Sequence, residues 1–153
     1  MHVSELISPT RVRVPLEARD KAGVLRELVG LLVAGDRRQG AEVLGAILER
    51  ERQFPTGVGY GVAVPHAKTP ALPTLGLVAG TTPEPVDYEA IDGKPVRIFF
   101  LLAGPDAAGP HVRAISRLSR LVRQEPVRAR LLAAPTPDAF YRVLCDADGA
   151  LAP

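Results

Sequence analysis

The sequence predicts one α/β domain built on a central, at least partly parallel β-sheet. Three observations carry this. Short apolar, β-branched stretches are interspersed with segments of helical periodicity, as in chains that lay helices on a sheet. The run VRIFFLLA, Val96 to Ala103, is apolar without alternation, which suits a strand covered on both faces. The length, 153 residues, suits a single compact domain that buries its own core without staples.

In chain order, Arg11 to Pro15 alternates and reads as a short strand. Asp20 then reads as a helix N-cap, followed by Ala22, Leu25, Leu28, Val29 and Leu32 at helical spacing, with Gly35 closing the helix. Ala41 to Arg52 is a second helix with Val43, Leu44, Ile47 and Leu48 on its buried face. Phe54 to His66 (FPTGVGYGVAVPH) reads as a Gly-rich loop entering a short strand that ends at His66. Leu75 to Ala79 is a further strand, Pro83 to Lys94 a turn-rich connection, and Val96 to Ala103 the central strand. After a loop over Gly104 to Pro110 come an amphipathic helix from His111 to Arg123 and a short one from Val127 to Ala133. A last helix begins at Thr136, with Pro137 at the first helical position, and runs to about Asp146.

Composition excludes several functions. The chain is 46% hydrophobic and 24% charged, an ordinary globular balance with a net charge of +2. That charge is too small, and its arginines too scattered among acids, for nucleic-acid binding. The single cysteine, Cys145, allows no internal disulfide and no cysteine zinc site, and fits a reducing, cytoplasmic setting. The start has no apolar run of signal-peptide length, and nothing approaches the ~20 apolar residues of a membrane span. A soluble chain is expected, with any membrane link made through a partner.

Four features point to chemistry. Pro65 biases Val64 toward an extended backbone, so the chain entering His66 is stiff. Gly57, Gly59 and Gly61 lie just upstream at alternate positions, where backbone amides can cradle an anion, and Thr56 adds a hydroxyl. A neutral imidazole is a competent nucleophile near pH 7, so this loop and His66 form a candidate phosphoryl acceptor. His111, in the first turn of its helix, shares an inward stripe with Ile115, Leu118 and Val122, and its position near the positive helix end favours the neutral ring. Arg50 falls at the end of its helix's buried side and suits bidentate pairing with phosphate oxygens. Spacing alone leaves the plain alternatives open: a structural His at a strand end with turn-forming glycines, a capping His, and an Arg lying along a helix end. Arg113, Arg117 and Arg120 read as a solvated outer face, with partner docking as the second reading.

The segment Arg50-Glu51 through TGVGYGVAVPH resembles the active-site motif of phosphotransferase-system enzyme IIA domains of the fructose, mannitol and nitrogen-regulatory type. PVDYEAIDGKP, IFFLLAGP and HVRAISRLSRLV are similar to later stretches of that family, so the resemblance covers roughly Leu6 to Leu144. It implies one domain over residues 1–153, with its core at about 6–146, in which a mixed sheet is covered by helices on both sides and the two His sit at one end. His66 matches the phosphorylated His of the motif, His111 the supporting His, Arg50 the Arg that stabilises the phosphoryl group, and Thr56 the motif Thr. Tyr60 stands where many members have Asn.

The resemblance further implies a phosphohistidine relay: His66 takes phosphate from HPr or an HPr-like protein and passes it to a IIB domain. It needs no metal and no organic cofactor, and neither nucleic acid nor direct membrane insertion enters. Two other outcomes stand beside sugar transport: a nitrogen-type regulator, and a IIA-like binding module that controls partners without carrying phosphate. A hydrolase using a His pair and a metal is disfavoured by the lack of ligand spacing such as His-x-x-x-His.

Overall fold

The computed structural model describes residues 1–105 and 108–153. Among these residues six strands form one mixed sheet: β1 (Val12–Arg13), β2 (Gly57–Gly59), β3 (Val62–Ala63), β4 (His66–Lys68), β5 (Gly76–Val86) and β6 (Val96–Gly104). The path across it is β1-β5-β6-β3-β2, with β4 also pairing with β6. β5 and β6 run antiparallel, whereas β1 on β5, and β3 and β4 on β6, run parallel.

Among the described residues five α-helices cover the sheet: α1 (Lys21–Leu32), α2 (Arg37–Gln53), α3 (Ala108–Val122), α4 (Glu125–Ala133) and α5 (Pro137–Ala150). Alternation along β6 divides the core between its two faces. Ile98, Phe100 and Leu102 pack with Leu118, Leu131, Phe140 and Leu144 of α3, α4 and α5. Phe99, Leu101 and Ala103 pack with Leu25, Leu28, Val43 and Ile47 of α1 and α2. The unbroken apolar run is thus a strand buried on both sides, as its pattern predicts, and helices lie on both faces of the sheet.

Caps set the helix starts. Asp20 accepts from Gly23 N (2.7 Å) and Thr136 from Ala139 N (3.1 Å), both as expected. Asp36 accepts from Gln39 N (3.0 Å), so α2 begins four residues before the expected Ala41. On α2 the buried stripe is Val43, Ile47 and Glu51, while Leu48, expected inside, is 39% exposed.

The strands differ more from expectation. β1 is shorter than Arg11 to Pro15, and β5 runs on to Val86 through part of the expected Pro83–Lys94 connection. Pro83 and Pro85 are exposed within a register shift between Thr81 and Val86, where no ladder N–H is required. α3 begins at Ala108, so His111 is its fourth residue. Part of the expected Gly104–Pro110 loop, residues 106 and 107, lies outside the described residues.

Candidate functional site

His66 opens a strand rather than ending one. Pro65 has no N–H to give, so pairing with β6 breaks there and resumes one residue later. The Pro65 carbonyl accepts from Leu102 N (2.9 Å), and His66 then stands in parallel register with Leu102. The ring is fixed through Nδ1, which donates to the Val64 carbonyl (2.8 Å). A carbonyl only accepts, so Nδ1 holds the proton of the neutral ring and Nε2 keeps its lone pair.

His66 lines a cleft of about 470 Å³ together with Arg50, Lys68 and His111, and with Ala46, Val112 and Ile115 as apolar wall. The structure therefore brings together the two His and the Arg that the sequence singles out. Arg50 donates from Nη1 to the Phe54 carbonyl (3.1 Å) at the end of α2, which holds the guanidinium over the cleft rim with other N–H groups to spare. Lys68, which sequence reasoning missed, joins them because residues two apart in a strand share a face.

Burial holds the His66 imidazole below its ordinary value of 6.5. The charges of Arg50 and His111 push in the same direction, whereas the Val64 carbonyl and Glu51 oppose them. At pH 7 the ring is therefore neutral, as a nucleophile must be.

His111 is buried, and its Nε2 donates to the Pro105 carbonyl (3.1 Å). The one N–H of the neutral ring is thus already engaged. A neutral His111 presents only a lone pair at Nδ1, and it donates from Nδ1 only when it carries a second proton.

The Gly-rich segment forms β2 and the turn into β3. Thr56, Gly57, Gly59 and Gly61 do not line the cleft. Thr56 is buried, with its hydroxyl donating to Glu51 and its carbonyl accepting from Val64 N (2.9 Å). Gly57 belongs to β2, and a Cβ there would stand 2.5 Å from the Ala90 Cβ, so only glycine fits. Gly59, Tyr60 and Gly61 all have positive φ (89°, 60° and 76°) and make the turn between β2 and β3. The glycines here allow a tight turn and close packing. Asn, frequent at Tyr60's position in the family the sequence resembles, tolerates that left-handed conformation better than Tyr. Tyr60 stacks against the Arg128 guanidinium, 4.7 Å from its ring centre, and this contact offsets part of the strain.

Behind the loop lies a polar network that spacing could not reveal. Glu51 accepts from Thr56 Oγ1 and from Tyr88 Oη (2.9 Å), and pairs with Lys21 Nζ (2.9 Å). Lys21 also lies 4.4 Å over the Tyr88 ring. Burial first, and Glu51 second, push the Tyr88 hydroxyl far above its ordinary range, so it stays a donor. The connection runs Lys21, Glu51, Thr56, Val64, His66, and ends on the nitrogen that sets the tautomer.

Comparison with known proteins bears on the family and the fold. The PTS system fructose-specific EIIABC component of Bacillus subtilis (strain 168) is 36% identical over 146 residues, 94% of this chain but only 23% of that protein. A nitrogen regulatory protein of Bradyrhizobium diazoefficiens is 34% identical over 145 residues, covering 94% of this chain and 95% of that one. The crystal structure of nitrogen regulatory protein IIA-Ntr from Neisseria meningitidis superposes with a TM-score of 0.85 at 28% identity, over 93% of this chain and 98% of that one. The family described as phosphoenolpyruvate-dependent sugar phosphotransferase system, EIIA 2, matches residues 5–147, nearly the whole chain, and this chain belongs to that family.

Proposed function

We propose that the chain is a phosphohistidine carrier whose acceptor atom is Nε2 of His66. The observation that carries this is the Nδ1–Val64 bond, which leaves an unprotonated Nε2 in a cleft with Arg50, Lys68 and His111. HPr or an HPr-like phosphohistidine protein is the donor. In the transfer the donor's P–N bond breaks, its electron pair returns to the donor imidazole, and the Nε2 lone pair of His66 forms the new P–N bond. No proton leaves His66 in this step, because Nδ1–H stays on the Val64 carbonyl. The work of the protein is positioning and charge stabilisation. Arg50 supplies N–H donors to the phosphoryl oxygens, and Lys68 adds positive charge on the same strand face. His111 lines the same cleft as the supporting His, its ring held by Nε2 on the Pro105 carbonyl. Thr56 and the glycines serve by holding the strand that presents His66.

The recipient is a IIB domain, in keeping with a relative named as an EIIABC component, and the reaction runs in the cytoplasm. A regulatory use of the same phosphohistidine is favoured alongside by the nitrogen regulatory relative, similar over nearly its whole length.

The test is incubation with phosphoenolpyruvate, enzyme I and HPr, read by intact mass at neutral pH. One acid-labile phosphoryl group is expected on the wild type and none on His66→Ala. His111→Ala is expected to accept phosphate but pass it on slowly. Labelling of His66→Ala, or no labelling with any HPr-type donor, overturns the proposal; the second result leaves a binding module.

A further inference from the structure

On the other flank of α3 from the His66 cleft lies a second concavity of about 330 Å³, walled by α3 and by both ends of the chain. Its polar lining is His2, Arg113, Ser116, Arg117 and Arg120, with no acidic side chain among the lining residues. The three arginines recur at i, i+4 and i+7, so they share one face of α3 over about 10 Å. That face is not the plain solvated surface its spacing suggests, because Arg117 is buried.

Arg117 is held rigidly. Its Nε donates to Asp148 Oδ1 (2.5 Å), and Nη2 donates to the Asp148 carbonyl (2.7 Å). Asp148 is fully buried and also accepts from Ser4 N (3.1 Å). That pair neutralises itself and ties the first residues to α5. Arg117 Nη2 also donates to His2 Nδ1 (3.2 Å), which puts the ring proton of neutral His2 on Nε2, as a donor. Arg113 and Arg120 have no hydrogen bond or ion pair among the described residues. The hollow therefore has a rigid, internally compensated floor, and on its walls two guanidinium groups that make no ion pair among the described residues.

We propose that this hollow binds a small molecule carrying at least two negative charges, as phosphate or carboxylate groups, bridging Arg113 and Arg120. Guanidinium forks bind either group bidentately, with Ser116 Oγ and His2 Nε2 as further donors. The site is concave and lies within the volume range of small-ligand pockets, which favours a compact ligand over a flat acidic protein surface. Val112 borders both this hollow and the His66 cleft, so the two share a wall on α3.

The test is titration of the full chain with pyrophosphate and, separately, with citrate, followed by amide NMR shifts and calorimetry. Saturable binding with shifts centred on residues 113–120 is expected for at least one anion, and the two arms tell phosphate from carboxylate recognition. Arg113→Gln with Arg120→Gln should weaken it at least about tenfold, the loss of charge-assisted bonds, without lowering the melting temperature or phosphorylation of His66. Arg50→Gln should leave it intact. No saturable binding of either anion overturns the proposal and returns the arginines to an exposed docking face. Equal weakening by Arg50→Gln, or shifts centred on His66, also overturns it by placing the anion in the first cleft.

Discussion

Replacing Glu51 by Gln tests whether the buried network behind the loop supports both stability and the site. Gln keeps the volume and one carbonyl oxygen, which can still accept from Thr56 Oγ1 and Tyr88 Oη. Its amide NH2 then faces Lys21 Nζ and Thr56 N, so donors meet donors where a carboxylate oxygen stood. The loss is one charge-assisted hydrogen bond, about 1.5–3 kcal/mol. It falls short of the 3–5 kcal/mol of a fully buried pair because the Lys21 side chain is 24% exposed and can turn to water. A destabilisation of about 2 kcal/mol follows, or about 4–8 °C in melting temperature for a chain of this size. Urea unfolding and calorimetry measure it, and Lys21→Met with Glu51→Gln closes a double-mutant cycle whose coupling isolates the pair. Because Thr56 holds Val64, and Val64 holds His66 Nδ1, the variant should also accept phosphate more slowly than a core variant destabilised at least as much, such as Ile47→Ala. A cost below about 0.5 kcal/mol refutes the network's structural role. Full cost with an unchanged acceptance rate refutes its link to the tautomer of His66.

Two further outcomes follow. The folded-state pKa of His66 lies below its unfolded value of 6.5, so the unfolded chain takes up a proton first as pH falls. The group's effect is absent well above pH 6.5 and becomes a destabilisation as pH drops through 6.5 toward the folded value; NMR titration should show the His66 ring protonating below 6.5, and a midpoint above it contradicts the burial argument. Gly57→Ala drives a methyl group to 2.5 Å from the Ala90 Cβ and should cost about 1–3 kcal/mol by overpacking, read as a lowered urea midpoint, with Ala90→Gly restoring part of it.

The sequence by itself determined the elements whose signals are local: the strand buried on both faces at Val96 to Ala103, the caps at Asp20 and Thr136, and the inward stripe of α3 that carries His111. It also determined the family, because Arg50, the Gly-rich segment and Pro65-His66 form one long ordered motif. It said less about what contacts decide. Whether Gly57, Gly59 and Gly61 also cradle an anion depends on what lies beside them; Gly57 packs on Ala90, and Gly59 and Gly61 take the positive φ of the turn between β2 and β3. β5 crosses Pro83 and Pro85 because β6 supplies a partner and the shifted register needs no N–H there, a condition visible only once the strands are paired. The tertiary structure alone showed that Glu51 is buried with Lys21, Thr56 and Tyr88, that Arg117 turns inward to Asp148, and that His111 spends its ring N–H on Pro105. A charged side chain's partner lies on a neighbouring helix distant in sequence, and periodicity, which reports only which face a residue occupies, carries no information about what waits there.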